Sequence, residues 1–124
     1  MQQAHLFHAT YSPWSEKARW ALDVTGLPHR RSVYTPFVSA LGLRWRMGDL
    51  QKRVSIPTLL TADGPITDSL AIARYAATTR GDDALFPAGL EEEIEDWNFR
   101  SETALAAGRA MSTRRIANDQ QARA

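Results

Sequence analysis

Residues 55–69 read SIPTLLTADGPITDS, and this stretch decides the predicted fold. Apolar residues follow the first proline, the Asp-Gly pair is typical of a tight turn, and Pro-Ile-Thr supplies a second short strand. The pattern therefore predicts a β-hairpin. Asp68 and Ser69 are both favoured at helix N-caps, so a helix over residues 69–79 is expected to begin directly after the hairpin.

Upstream of the hairpin, the sequence predicts a strand, a helix and a second strand. Residues 4–9 are half apolar and predict the first strand. Ser12 is a favoured N-cap, Pro13 occupies the first helical position, and Gly26 can end the helix in a left-handed conformation. Residues 31–35 are rich in β-formers and stop at a proline, so they predict the second strand.

Two further segments are predicted to be helical. Residues 37–51 have scattered apolar positions and two glycines, which predicts a short, irregular helix. Near the end of the chain, Leu90, Ile94, Trp97 and Leu105 repeat at the spacing of one helical stripe. The tail beyond this stripe has little to bury, so it is expected to extend the helix or to fray.

The order of these elements predicts the fold class. A βαβ unit, a helix, a ββα unit and an appended C-terminal helix are the order of an α/β protein with a thioredoxin-like fold. We expect the thioredoxin-like domain at residues 1–80, a linker at residues 81–89, and the last helix within residues 90–124. A chain of 124 residues fits one domain with an appendage.

The composition limits the chemistry that the chain itself can supply. It has no cysteine, which excludes Cys-based metal sites and a protein thiol nucleophile, so sulfur chemistry must come from a ligand. His5 and His8 are three apart on a strand and point to opposite faces, so no metal is expected. No apolar run approaches the roughly 18 residues that span a bilayer, and no secretory signal is recognised. We therefore expect a cytoplasmic protein with no membrane partner.

Charge is distributed unevenly along the chain. Residues 30–53 carry six Lys or Arg and one acid, whereas residues 82–96 carry seven acids and no Lys or Arg. The basic stretch can steer a small anionic ligand, and opposite fields on one small body favour self-association. The four tryptophans are expected to pack rather than to stack on bases, so no nucleic-acid partner is expected.

Three short segments carry candidate chemistry. Residues 12–15 (Ser-Pro-Trp-Ser) begin a helix, where unpaired N–H groups and the helix dipole favour a bound thiolate over a thiol. Pro57, if its peptide bond is cis, would turn the main chain of Ile56 outward to pair with a peptide ligand. At the next helix start, the Ser69 hydroxyl and the backbone amides can hold a carboxylate, while Asp68 can accept from an ammonium group. Each segment alone is typical of an ordinary cap or turn, but their convergence indicates a binding site.

Together these segments resemble the N-terminal domain of glutathione transferases. The matching text consists of YSPWS (11–15), KARWAL (17–22), SIPTL (55–59), DG (63–64) and TDSLAIARY (67–75). The resemblance covers about residues 4–79, and Leu-Phe-Pro at 85–87 is similar to the linker into the family's second domain. It implies the thioredoxin-like fold and glutathione as co-substrate.

The resemblance also implies a role for each matched residue. Ser12 would serve the glutathione sulfur, and Ser15 is the alternative for this role. Ile56 would bond the cysteinyl part through its main chain, while Asp68 and Ser69 would hold the γ-glutamyl part. The implied set is completed by Trp14 at the edge of the pocket and Pro57 as the cis proline.

The chain departs from the family pattern in three places. Two residues before the cis proline, where members often have Gln or Lys, it has Ser55, so Arg53 or Lys52 is expected to take the glycine carboxylate. Tyr11 opens the matching segment and is expected to pack. The family's all-helical second domain normally supplies most of the electrophile pocket. Here it is expected to be represented only by its first helix, within residues 90–124.

The sequence is therefore interpreted as a glutathione S-transferase-like protein. It would bind glutathione and activate its thiolate for attack on a small electrophile, as in detoxification, and a homodimer is expected. The alternative is a non-catalytic module of the same fold that makes protein–protein contacts. A glutaredoxin-like redox protein is disfavoured because neither serine of the Ser-Pro-Trp-Ser segment is a cysteine.

Overall fold

The computed structural model describes residues 3–36, 38–48 and 54–119. In chain order its elements are β1 (Ala4–His8), α1 (Pro13–Val24), β2 (His29–Val33), α2 (Val38–Arg46), β3 (Thr58–Thr61), β4 (Gly64–Ile66), α3 (Ser69–Arg80) and α4 (Glu91–Asn118). The predicted order of strands and helices is confirmed.

The four strands form one mixed sheet in the order β2-β1-β3-β4. The β1–β2 pair is parallel, as a crossover through α1 allows, whereas β3 pairs antiparallel with both β1 and β4. A parallel βαβ unit joined to an antiparallel hairpin and a helix is the thioredoxin-like arrangement. The predicted α/β fold class is therefore correct.

The hydrophobic core lies where α1 and α3 pack against the sheet. Its buried cluster contains Leu6, Ala18, Leu22, Leu27, Leu59, Ile72 and Ala76. Alanines on both helices allow close packing, and each buried leucine contributes about 1.5–3 kcal/mol relative to exposure. The two helices are held by apolar burial, so their N-terminal ends are fixed relative to the sheet.

The boundaries of two elements differ from the sequence-based prediction. The second strand was expected at residues 31–35, but β2 is His29–Val33. Among the described strands it is an edge strand that pairs with β1 alone. Most of its residues are not buried, so the charged Arg30 and Arg31 can belong to it. The tail that was expected to extend the last helix or to fray is helical through Asn118.

The tryptophans do not all pack as expected. Trp20, Trp45 and Trp97 are 58%, 76% and 64% exposed, whereas Trp14 is half-buried. Trp20 lies on the side of α1 opposite to its buried residues, so its amphipathic ring remains at the surface.

The chain divides into two compact units between Pro87 and Ala88. The first contains the sheet with α1 to α3, and the second contains α4. Helix α4 has 28 residues, none of them buried, and begins with three acidic residues, which favour the positive end of the helix dipole. Among the described residues, no helix is both long and apolar enough to cross a membrane.

Candidate functional site

The strand register brings the three candidate segments to the same end of the sheet. Phe7, near the end of β1, pairs with Thr58 at the start of β3, and Leu59 pairs with Ile66 at the end of β4. The loop that follows β1, the loop that precedes β3 and the loop that follows β4 therefore lie at the same end of three adjacent strands.

The first segment is the start of α1, which Ser12 caps. Its backbone is extended, with φ −91° and ψ 122°, and its side-chain oxygen accepts from the Ser15 N–H at 3.3 Å. The Ser12 hydroxyl is half-buried and retains its own hydrogen as a donor. A sulfur anion placed here would meet a hydroxyl donor and the positive end of the helix dipole.

Ser15 occupies a different environment from Ser12. It is fully buried, and its side-chain oxygen accepts from the Ala9 N–H at 3.0 Å. This bond connects α1 to the residue that follows β1. The hydroxyl is thus engaged within the protein, and the geometry favours Ser12 over Ser15 as the group that faces a ligand.

Replacing Ser15 by alanine is expected to destabilise the protein. The Ala9 N–H would remain buried without an acceptor, which costs about 1–3 kcal/mol of unfolding free energy. Chemical denaturation of Ser15→Ala measures this, with Ser101→Ala on the exposed surface of α4 as the matched control. An unchanged free energy of unfolding would show that the Ser15 hydroxyl has no structural role.

The second segment precedes β3. The Ile56–Pro57 peptide bond is cis, Pro57 is buried and Ile56 is half-buried. The Ser55 carbonyl accepts from the Thr58 hydroxyl at 2.5 Å. Within the described residues, the main-chain N–H and C=O of Ile56 have no hydrogen-bond partner, so they remain available to an extended ligand.

The third segment is the start of α3, which Asp68 caps. One Asp68 carboxylate oxygen accepts from the Ala71 N–H at 2.8 Å, and the Asp68 side chain is exposed. The N–H groups of Ser69 and Leu70 belong to the first turn and have no acceptor within the helix. Beside them, the Ser69 hydroxyl is buried and has no hydrogen-bond partner within residues 3–36, 38–48 and 54–119.

An unpartnered buried hydroxyl at a helix N-terminus is uncommon in folded proteins. The Ser69 side chain therefore has an unused donor beside two backbone amides for which no acceptor lies among the described residues. An anionic group bound there would satisfy both amides, and also the hydroxyl after a rotation about the Ser69 Cα–Cβ bond, while the exposed Asp68 carboxylate would attract a neighbouring cation.

His8 is a titratable residue at the end of β1, next to this site. Burial lowers the pKa of its imidazole, and the positive charges of Arg19 and Arg31 lower it further. The lowered pKa favours the neutral ring, and its buried Nδ1 has no partner among the described residues. The His8 ring therefore contributes no positive charge to the site, whereas the helix N-termini do.

Two of the predicted glutathione-binding residues lie where the chain is not described, and one expectation about a third residue is wrong. Arg53 and Lys52, the candidates for the glycine carboxylate, lie outside the described residues. Tyr11 was expected to pack, but it is 89% exposed beside Ser12. Its place in the loop before the N-cap is the sequence signal that could have indicated a surface position.

A scan against protein families gives a match over most of the first compact unit. Residues 11–79 match the family described as glutathione S-transferase, N-terminal domain. Among curated proteins, 54 residues are 44% identical to elongation factor 1-gamma 2 of Oryza sativa subsp. japonica. That match covers 42% of this chain and 13% of the rice protein.

Solved structures show the same similarity. Glutathione S-transferase unclassified 2 of Bombyx mori has a TM-score of 0.59 and 26% identity over 75% of this chain and 43% of the silkworm protein. A glutathione S-transferase from Methylobacterium radiotolerans, solved in complex with glutathione sulfonate, has a TM-score of 0.53 and 30% identity over 70% of this chain and 40% of its own. The chain thus spans less than half the length of these two proteins.

Proposed function

The chain belongs to the glutathione S-transferase family through its N-terminal domain, and we propose that it binds glutathione and activates its thiolate for attack on a small electrophile. The observation that carries this proposal is the start of α3. There the Ser69 hydroxyl and two first-turn amides have no partner in the part of the chain that the structure describes, and the Asp68 carboxylate lies beside them. This group of donors and acceptor matches a zwitterionic amino-acid end.

The γ-glutamyl end of glutathione has both charges that the start of α3 can recognise. Its α-carboxylate would accept from the Ser69 hydroxyl and the first-turn amides, and its ammonium group would donate to Asp68. A rotation about the Ser69 Cα–Cβ bond is the smallest movement that would turn its buried hydroxyl toward such a ligand. Hydrogen bonds to charged groups contribute about 1.5–3 kcal/mol each.

The cysteinyl part would lie along the main chain of Ile56. The free N–H and C=O of this residue can form two strand-type hydrogen bonds with an extended tripeptide. Pro57 is buried beneath this position, and Trp14, in the first turn of α1, would border the same pocket. For the glycine carboxylate we keep Arg53 and Lys52 as candidates, and Ser55 remains a candidate glutathione-binding residue.

The thiol would be placed at the start of α1. The Ser12 hydroxyl would donate to the sulfur, and the helix dipole would favour the anion, so both would lower the pKa of the thiol. In the reaction the thiol proton passes to water and the sulfur forms a bond to the electrophilic carbon. The leaving group then departs with the electrons of the broken bond.

The residues beyond the first unit bear on the second substrate. We propose that residues 90–124 are the start of the helical domain that, in this family, supplies the electrophile pocket, after a linker at residues 81–89. A cytoplasmic homodimer and a role in detoxification are part of the same proposal.

Thermal unfolding with and without glutathione tests the proposal. A ligand that binds only the native state stabilises it by about 2.7 kcal/mol at a hundredfold excess over Kd. Oxidised glutathione is the control for ligand size, and free glycine is the control for general solute effects on the melting temperature. A melting temperature that glutathione leaves unchanged, at concentrations up to tens of millimolar, would reject the binding proposal.

The second candidate function is that of a non-catalytic interaction module. The observation in its favour is the match to rice elongation factor 1-gamma 2, whose identity over the matched residues exceeds that of the two transferase structures. This candidate predicts a folded chain that neither binds glutathione nor conjugates it to an aryl halide. Glutathione-dependent release of halide would exclude it.

A further inference from the structure

A cationic cluster lies on the face of the sheet opposite to the core. We call it the His5 cluster, and it consists of His5, Arg30, Ser32 and Arg46. Strand alternation places His5 on the face opposite to the buried Leu6. The centroids of the His5 and Phe7 rings are 4.3 Å apart. The cluster is separate from the proposed glutathione site, which begins beyond the carboxyl end of β1.

Hydrogen-bond chemistry fixes the state of the His5 ring. The Arg46 Nη1 atom lies 3.3 Å from His5 Nδ1, and a guanidinium can only donate, so Nδ1 is the acceptor. The ring hydrogen is therefore on Nε2, which donates to the Ser32 hydroxyl oxygen at 2.8 Å. Both ring nitrogens are engaged while the ring is neutral.

Among the residues that the structure describes, the charged groups that face His5 are positive. Arg30 pairs directly with His5 in the parallel β1–β2 register, Arg46 reaches it from α2, and its β3 neighbour is the uncharged Leu60. Burial lowers the pKa of His5, and Arg46 and Arg30 lower it further. Both arginines are exposed, and neither forms an ion pair with a carboxylate in the described part of the chain.

We propose that the His5 cluster binds a doubly charged tetrahedral oxyanion, such as a phosphate monoester, between the guanidinium groups of Arg30 and Arg46. Guanidinium groups present paired N–H donors that match the oxygens of such an anion. Arg30 and Arg46 lie on one face without a carboxylate partner in the described part of the chain, so their two positive charges also match its two negative charges. The neighbouring imidazole makes the site sensitive to protons.

Anion binding and protonation of His5 are coupled. When Arg46 turns to the anion, Nδ1 loses its donor and can take up a proton from solvent. The bound anion then offsets the positive charge that otherwise opposes this protonation. Because linkage is reciprocal, the anion raises the pKa of His5 by the same free energy with which the proton strengthens anion binding.

NMR titration of the histidine ring signals in the full chain tests the proposal. Sulfate is the probe because its charge stays at two between pH 5 and pH 8, and sodium chloride at equal ionic strength measures screening alone. We expect sulfate to raise the pKa of His5 by about one unit more than chloride does, saturably, which corresponds to about tenfold tighter binding to the protonated form. His8, on the opposite face, is the internal reference.

Variants locate the effect in the cluster. Arg46→Gln and Arg30→Gln are each expected to abolish the sulfate-specific rise, and Arg100→Gln, which removes an ion pair within α4, is the matched control. If Arg46→Gln fails to fold, Arg30→Gln still tests the proposal, because Arg30 is exposed on an edge strand. An equal rise in both salts, or a sulfate response that both variants retain, would overturn the proposal.

Two further ligands distinguish the source of the phosphate group. Phenyl phosphate, a monoester, is expected to reproduce the sulfate effect. A response of His5 to single-stranded RNA, with no response to sulfate or phenyl phosphate, would replace the small-anion proposal with a nucleic-acid surface.

Discussion

Ser12→Ala is expected to reduce glutathione conjugation at neutral pH by about a hundredfold. The variant removes the hydroxyl that would donate to the thiolate, and removing one such donor costs roughly 10²–10³ in rate. About two units of pKa correspond to a hundredfold change in thiolate fraction. The pH profile of the variant is therefore expected to shift to higher pH, so that most of the lost rate returns in alkaline solution.

The controls for Ser12 separate its two roles. Loss of the N-cap costs about 1 kcal/mol of stability, which denaturation measures independently. Ser12→Thr keeps both the cap and the hydroxyl and should retain most activity, whereas Ser12→Asp keeps the cap but places a negative charge beside the sulfur. Equal rates for the wild-type protein and Ser12→Asp would remove Ser12 from the mechanism.

Ser69→Ala is expected to weaken glutathione binding by a factor of about 10 to 100. This range corresponds to the 1.5–3 kcal/mol that a hydrogen bond to a charged group contributes. Without ligand, the same variant should be at least as stable as the wild-type protein, because the lost hydroxyl is buried and unpartnered. Weaker binding together with unchanged or higher stability would identify a residue that serves the ligand rather than the fold.

Two variants are compared with Ser69→Ala. Asp68→Asn removes a second group that would bind the ligand, and Ser101→Ala is the matched control. Asp68→Asn keeps a side-chain oxygen for the Ala71 N–H but loses the charge that would bind the ammonium group, so its stability should change little while affinity falls. Ser101→Ala, in α4, should change neither quantity. A Ser69→Ala variant that is destabilised and binds glutathione normally would contradict the proposed role.

Much of the fold could be predicted from the sequence because its determinants are local. Ser12 and Asp68 cap the helices that follow them, as predicted. The predicted hairpin also forms, but its turn lies one residue earlier than the Asp-Gly pair, at Ala62 and Asp63, because Gly64 already pairs with Thr61 in β4. The buried face of α1 follows directly from helical spacing of Ala18 and Leu22. These features depend on neighbours in sequence, so periodicity and capping preferences are sufficient.

Features that depend on distant contacts could not be predicted. Two serines three residues apart appeared equivalent as candidates, but packing buries Ser15 against the Ala9 amide and leaves Ser12 half-buried. Similarly, the sequence identifies Ser69 as a ligand candidate, but only the structure shows that its hydroxyl is buried without a partner. Strand β2 begins early because pairing with β1 outweighs the low strand propensity of its charged residues.

Isothermal titration calorimetry of the folded chain with glutathione is the most direct test of the central claim that the starts of α1, β3 and α3 form one tripeptide site. We predict a saturable heat with a stoichiometry of one per chain, and a Kd about 10 to 100 times higher for Ser69→Ala. The absence of a heat signal, or identical titrations for the wild-type protein and Ser69→Ala, would contradict the single tripeptide site.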